Sequence, residues 1–167
     1  GRARFWRASC ALLICGPWAW VHAGVLRYCD PPPVRDATQQ DRLFRFAAVV
    51  KDELDKSGAR LALVARSGLD LSRFGVRYSH AGISLQASQN TPWSVRQLYY
   101  ACDEQRPRIY DQGLAGFVLG ADDPSSGYLS VLLLPALRAA ELEPAALSNR
   151  QAMQLLGTEY SANAYAF

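Results

Sequence analysis

Arg77-Tyr78-Ser79-His80-Ala81-Gly82-Ile83-Ser84-Leu85 is the stretch on which the fold turns. Ser79, Ala81, Ile83 and Leu85 alternate with His80, Gly82 and Ser84, the period of two that sends successive side chains to opposite faces of a strand. One face carries aliphatic bulk. The other carries a histidine beside a glycine, so His80 sits where bulk has been cleared and a backbone or a ligand can approach closely.

Downstream, Trp93 to Ala101 alternates again, with Trp93, Val95, Gln97 and Tyr99 set against Ser94, Arg96, Leu98 and Tyr100. The turn formers Gln89-Asn90-Thr91-Pro92 between the two runs predict a hairpin. Upstream, Leu61 to Ala65 is a short apolar run that reads as a buried strand, and Gly68 to Gly75 is a loop. Ile109-Tyr110 predicts another short strand, Gly113 to Leu119 a turn or short helix, and Tyr128 to Leu134 a strongly apolar strand.

Helices bracket these strands. Thr38 with Asp41 three residues on resembles a capping box, and Leu43, Phe46, Ala47, Val50 and Leu54 then recur at helical spacing until Gly58. Ser148 with Gln151 starts a second helix that reaches Leu156. One helix, a run of strands and a late helix predict the α+β class, an antiparallel sheet with helices packed on one side. The length, 167 residues, suits one domain.

The N-terminus has a different character. Arg2, Arg4 and Arg7 precede an acid-free apolar run from Ala8 to Val21, and Val21-His22-Ala23 offers a cleavage site, so residues 1–23 read as a secretory signal and residues 24–167 as the single domain. The run is shorter than the roughly twenty residues of a membrane span and contains Gly16-Pro17, so no stable membrane span is expected after signal removal. Cys15 after Leu12-Leu13-Ile14 is a weaker, lipoprotein-like alternative. The predicted location is the periplasm.

Signal removal takes three of the 18 Lys and Arg residues and none of the 15 acids, leaving a neutral chain. A neutral chain without a basic stripe has no footprint for a phosphate backbone, which argues against a nucleic-acid partner. Cys10 and Cys15 leave with the signal. Cys29 and Cys102 remain as a candidate disulfide in an oxidising compartment. With His22 also in the signal, His80 is the remaining histidine, and no Cys/His cluster suggests zinc. Nothing in the sequence calls for a cofactor. Asp122-Asp123-Pro124-Ser125-Ser126-Gly127 is explained by turn chemistry.

His80 is the catalytic candidate, because a general base needs an open face, a hydrogen-bond partner and a pKa near working pH. Ser79-His80-Ala81-Gly82-Ile83 resembles the segment that carries the catalytic histidine in permuted NlpC-type and papain-like cysteine hydrolases. Ala65 to Asp70, Arg77 to Ile83, Gln97 to Tyr100, Asp111-Gln112-Gly113-Leu114 and Tyr160 to Tyr165 together resemble a bacterial family known as domain of unknown function 2145. The similarity covers nearly the whole mature chain.

The resemblance implies a permuted papain-like fold in which the histidine strand comes first and the nucleophilic cysteine opens a later helix. A thiol there is activated by the imidazole and by the helix N-terminus, both of which favour thiolate. It also implies that the cysteine lies shortly after the region matching Tyr160 to Phe167, so the domain is expected to continue past Phe167. Cys102, followed by Asp103-Glu104, is a poor substitute because neighbouring acids raise a thiol pKa. Papain-like sites orient the imidazole with a polar side chain on the following strand. Gln97 is the nearest fit and Asp111 a weaker one, although a polar residue on a solvated strand face is the plainer account of either.

The expected activity is that of a cysteine hydrolase or transferase acting on an amide or ester of a small-molecule, peptide or lipid substrate in the cell envelope. The alternative is a non-catalytic periplasmic binding or structural module on the same scaffold.

Overall fold

The computed structural model describes Cys29 and residues 34–69, 71–121 and 128–161. Residues 1–23, read from the sequence as a signal, residues 122–127, read as a turn, and Tyr165 lie outside the described residues.

The chain runs α1 (Ala37–Lys56), β1 (Leu61–Arg66), β2 (His80–Leu85), β3 (Ser94–Ala101), β4 (Arg106–Gln112), α2 (Leu114–Leu119), β5 (Leu129–Leu133), α3 (Ala136–Leu147) and α4 (Asn149–Leu156). The strands form one five-stranded antiparallel sheet in the order β4-β3-β2-β1-β5. The protein is therefore α+β, and the strand beginning at His80 is the central one.

α1 begins two residues earlier than the sequence suggests. Asp36, not Thr38, is the N-cap: its carboxylate accepts from the Gln39 backbone N–H at 2.7 Å, while the Gln39 side chain accepts from the Asp36 N–H at 3.2 Å. Both pairs fit the capping-box spacing, but Gln39 reaches back as a neutral amide, whereas Asp41 is taken by Arg45 at 2.9 Å. At the other end Gly58 takes φ +67°, the left-handed geometry that stops the helix.

Register decides which residues share a face. Ala62 lies opposite Ser84, Val64 opposite Gly82, and Arg66 opposite His80, while Ser84 lies opposite Val95 and Gly82 opposite Gln97. On this face Ala62, Val64 and Val95 pack with Leu54 of α1 and with Leu114 and Phe117 of α2 around the buried Trp93. Each large side chain so buried contributes about 1.5–3 kcal/mol. Leu43 and Ala47 continue the layer against Val118.

The opposite face has its own cover. Leu61 and Leu85 pack with Ala139 and Ala146 of α3, flanked by Ile83 and Leu142. The expectation that helices pack on one side is thereby corrected: α1 and α2 cover one face and α3 the other. α3 is an element that the sequence reading does not include; it holds Pro144 in its last turn, and proline normally argues against a helix interior.

Trp93 is not the first residue of β3 but a turn residue at φ +64°, an unusual conformation for a bulky side chain. Three hydrogen bonds fix it there: its backbone N–H donates to Leu85 at 2.9 Å, its carbonyl accepts from Ser84 Oγ at 2.8 Å, and its indole N–H donates to Asp55 at 2.6 Å. The β2–β3 hairpin is thus bolted to the end of α1. At the far end of β3 a disulfide joins Cys29 to Cys102, with 5.6 Å between their Cα atoms.

Among the described residues no helix is long and apolar enough to cross a membrane.

Candidate functional site

Each residue of the Ser79-His80-Ala81-Gly82 segment does something distinct. Ser79 Oγ accepts from the backbone N–H groups of Gly68 and Leu69, each at 2.8 Å, and its own N–H donates to the Arg66 carbonyl at 3.1 Å. The loop after β1 is thereby folded back over the start of β2. It comes so close that a Cβ on Gly68 would lie 3.3 Å from His80 Cβ. Ala81 points to the other face. Gly82 lets β3 approach, since a Cβ there would sit 2.8 Å from the Arg96 carbonyl oxygen and 2.5 Å from Val95 Cγ1. The cleared space is filled by a neighbouring strand rather than left for a ligand.

His80 is half-buried. Its Nε2 is hydrogen-bonded to Gln97 Oε1 on β3, and Gln97 Nε2 donates in turn to Gln112 Oε1 at 2.8 Å on β4. The imidazole therefore meets two amides in a row, one from each successive strand. Gln97 is only 5% exposed, and a buried amide without partners would be costly; here both its ends are engaged. An amide oxygen can only accept, so the His80 contact requires Nε2–H. Neutral His80 then carries its lone pair on Nδ1, the nitrogen able to take a proton.

α2 roofs the group. The Phe117 ring lies 5.7 Å from the His80 ring at an interplanar angle of 33°, and the Arg66 guanidinium sits 5.0 Å from the other ring partner's centroid, that of Phe117. Arg66 is held by the Gly120 carbonyl at 2.6 Å and the Ser67 carbonyl at 3.0 Å. Tyr99 meets His80 edge-on at 6.1 Å and Tyr110 at 5.8 Å, and it is 47% exposed, so it forms the open rim of the site.

The environment keeps His80 neutral. Burial pushes its pKa below the ordinary 6.5, the Gln97 hydrogen bond works in the opposite direction, and the Arg66 charge adds to the lowering. A neutral imidazole at working pH is one ready to accept a proton.

Asp111 is on the wrong face for this site. Strand register puts it opposite Arg96, whose Nε and Nη2 donate to its two carboxylate oxygens at 2.8 and 2.7 Å. Arg96 also donates to the Ala146 carbonyl at 2.8 Å and to Asn149 Oδ1 at 2.8 Å, and it lies 5.2 Å from the centre of the Tyr160 ring. The pair joins α3 and α4 to the sheet. As a partner for His80, Asp111 is excluded by strand alternation alone.

Cys102, held in the disulfide, offers no thiol, and Tyr78 is exposed on the segment leading into β2. Among the described residues no three His, Cys, Asp or Glu side chains gather to hold a metal ion. Sequence reading found His80 and Gln97 but gave no role to Gln112 or Phe117. The available signal was polarity at Gln97, an amide between Val95 and Tyr99 on one face of β3; Gln112 follows Arg106, Arg108 and Tyr110 on its face of β4 and carries no such contrast.

Fold and site together define an α+β protein whose central antiparallel strands present a half-buried imidazole backed by consecutive amides. The chain belongs to the family described as "Uncharacterized protein conserved in bacteria (DUF2145)", which it matches over residues 53–167. No match is found among curated proteins or among solved structures.

Proposed function

We propose that the protein is an exported cysteine hydrolase or transferase of the permuted papain-like kind, acting on an amide or ester in the cell envelope. The observation that carries this reading is the hydrogen bond between the partly buried His80 and Gln97. In this scheme His80 Nδ1 takes the proton of a cysteine thiol, the thiolate attacks the carbonyl carbon, and the imidazolium returns the proton to the departing amine or alcohol. Water, or an acceptor nucleophile in a transferase, then cleaves the acyl-enzyme with His80 again as base. Gln97 is the residue that orients the imidazole.

The resemblance assigns the nucleophile to a cysteine that follows the region matching Tyr160 to Phe167. Export is part of the same proposal, supported by the signal-like residues 1–23 and by the Cys29–Cys102 disulfide, a bond that persists in oxidising compartments. The substrate is a small molecule, peptide or lipid carrying the amide or ester.

The test uses the protein encoded by the full gene and a thiol-directed electrophile at neutral pH. The wild type labels rapidly at a cysteine downstream of Phe167, and His80→Ala loses that labelling while keeping its fold. Equal labelling in the two proteins, both folded, sinks the hydrolase reading and leaves a binding or structural module on this scaffold.

A further inference from the structure

We infer that Gln112 is a positioning residue: it fixes the amide of Gln97 with the carbonyl oxygen toward His80, and thereby sets the imidazole tautomer that leaves Nδ1 as the proton acceptor. The inference deepens the proposed function and takes its catalytic meaning from it.

A glutamine beside a histidine does not by itself choose a tautomer. Turned by half a rotation about its last side-chain bond, Gln97 would offer an N–H to His80 Nε2 instead of an oxygen, and the ring would then carry its proton on Nδ1. That tautomer has no lone pair at the nitrogen the reaction needs. What opposes rotation of Gln97 alone is Gln112 Oε1, 2.8 Å from the Gln97 nitrogen, because the turned amide would set two carbonyl oxygens against each other; the relay reverses only if both amides turn together.

The position of the Gln112 side chain is confined by the backbone around it. It is the last residue of β4 and lies opposite Val95, two residues before Gln97 on β3. α2 begins immediately after the intervening Gly113, and its Gly116 lies flat against the Gln112 side chain. A Cβ on Gly116 would be 2.9 Å from Gln112 Nε2, 3.0 Å from its Cγ and 3.2 Å from its Cδ. One residue further on, Phe117 covers the His80 ring. A single short helix therefore seats both ends of the relay, the imidazole and the distal amide. This gives the Asp111-Gln112-Gly113-Leu114 segment a purpose that its neighbour Asp111, on the opposite face, does not supply.

Nitrogen NMR of the full chain with labelled histidine reads the tautomer directly, at a pH well above the ordinary imidazole value. His80 is assigned by the signal missing from His80→Gln. In the wild type, Nε2 carries the proton and Nδ1 does not. In Gln112→Met, which keeps the length and removes the acceptor, the proton distributes onto Nδ1, and thiol labelling of the full-length protein slows roughly tenfold, the low end of what losing an orienting partner costs at metal-bound imidazoles. Adding Gln97→Glu to Gln112→Met restores Nε2–H, because a carboxylate presents oxygen in either orientation. A wild-type His80 protonated on Nδ1 overturns the inference without any variant, and so does a folded Gln112→Met protein with an unchanged tautomer. These outcomes separate from those of the proposed function: an Nε2–H imidazole in a protein without a reactive thiol keeps the relay and loses the hydrolase, whereas a reactive thiol with Nδ1–H does the reverse.

Discussion

His80 is the residue at which stability and chemistry meet. Burial lowers its pKa first, Gln97 resists and Arg66 assists, so the folded protein binds a proton at His80 less readily than the unfolded chain, whose value is near 6.5. Above that value both states are neutral and nothing is lost. As pH falls through it, the unfolded chain takes up the proton before the native state does, and stability declines until the folded pKa is passed. The expected result is a loss of unfolding free energy on acidification from just above pH 6.5 that His80→Gln flattens, measured by denaturant titration across pH. Glu104 and Glu159 do not produce this slope. Both are held below their usual 4.5 by hydrogen bonds from Arg108, so their contribution is present above that value and is lost only at more acid pH. A wild type and variant with identical profiles between neutrality and pH 5 would contradict the assignment of a depressed imidazole.

At the scale of elements, the sheet is braced on the face away from His80. Arg96 and Asp111 have side chains only 9% and 10% exposed, and removing one member of a buried pair strands the other's charge. Arg96→Leu is expected to cost about 3 kcal/mol, while Arg96→Leu with Asp111→Leu recovers much of that loss, since the penalty lies in the uncompensated ion. Chemical unfolding of the two variants distinguishes these cases, and equal losses would mean the pair contributes through its links to Ala146 and Asn149 instead. The strands themselves were legible, because alternation around His80 and Gln97 and the apolar runs from Leu61 to Ala65 and from Tyr128 to Leu134 are local properties of the sequence; Ile109-Tyr110 marked only the middle of β4. The ends of elements were less so. Asp36 and Thr38 offer the same capping chemistry two residues apart, and only the neighbours Gln39 and Arg45 decide between them. α3 tolerates Pro144 because Ala139 and Ala146 pack on the sheet, a tertiary gain that no local pattern records.

For the whole molecule, the order β4-β3-β2-β1-β5 puts the His80 strand at the centre, with α1 and α2 on its face and α3 behind. The sequence revealed which side chains share a face of one strand, and hence His80 with Gly82. It did not reveal the register in which β3 pairs with β4, nor which face α2 covers, and so it left the Gln97–Gln112 contact and the Phe117 roof unread. Cys29 and Cys102, 73 residues apart, close the N-terminal segment onto the sheet. Both are consumed in the disulfide, so neither competes for a thiol probe. That clears the way for the decisive experiment, the pH dependence of thiol labelling in the full-length protein. A thiol paired with His80 reacts well below its free value, so the labelling rate should already be high at neutrality, fall on an acid limb, and lose that behaviour in His80→Ala. A rate that rises only toward about pH 8.5, the range of an ordinary cysteine, and does not change in His80→Ala would contradict the account.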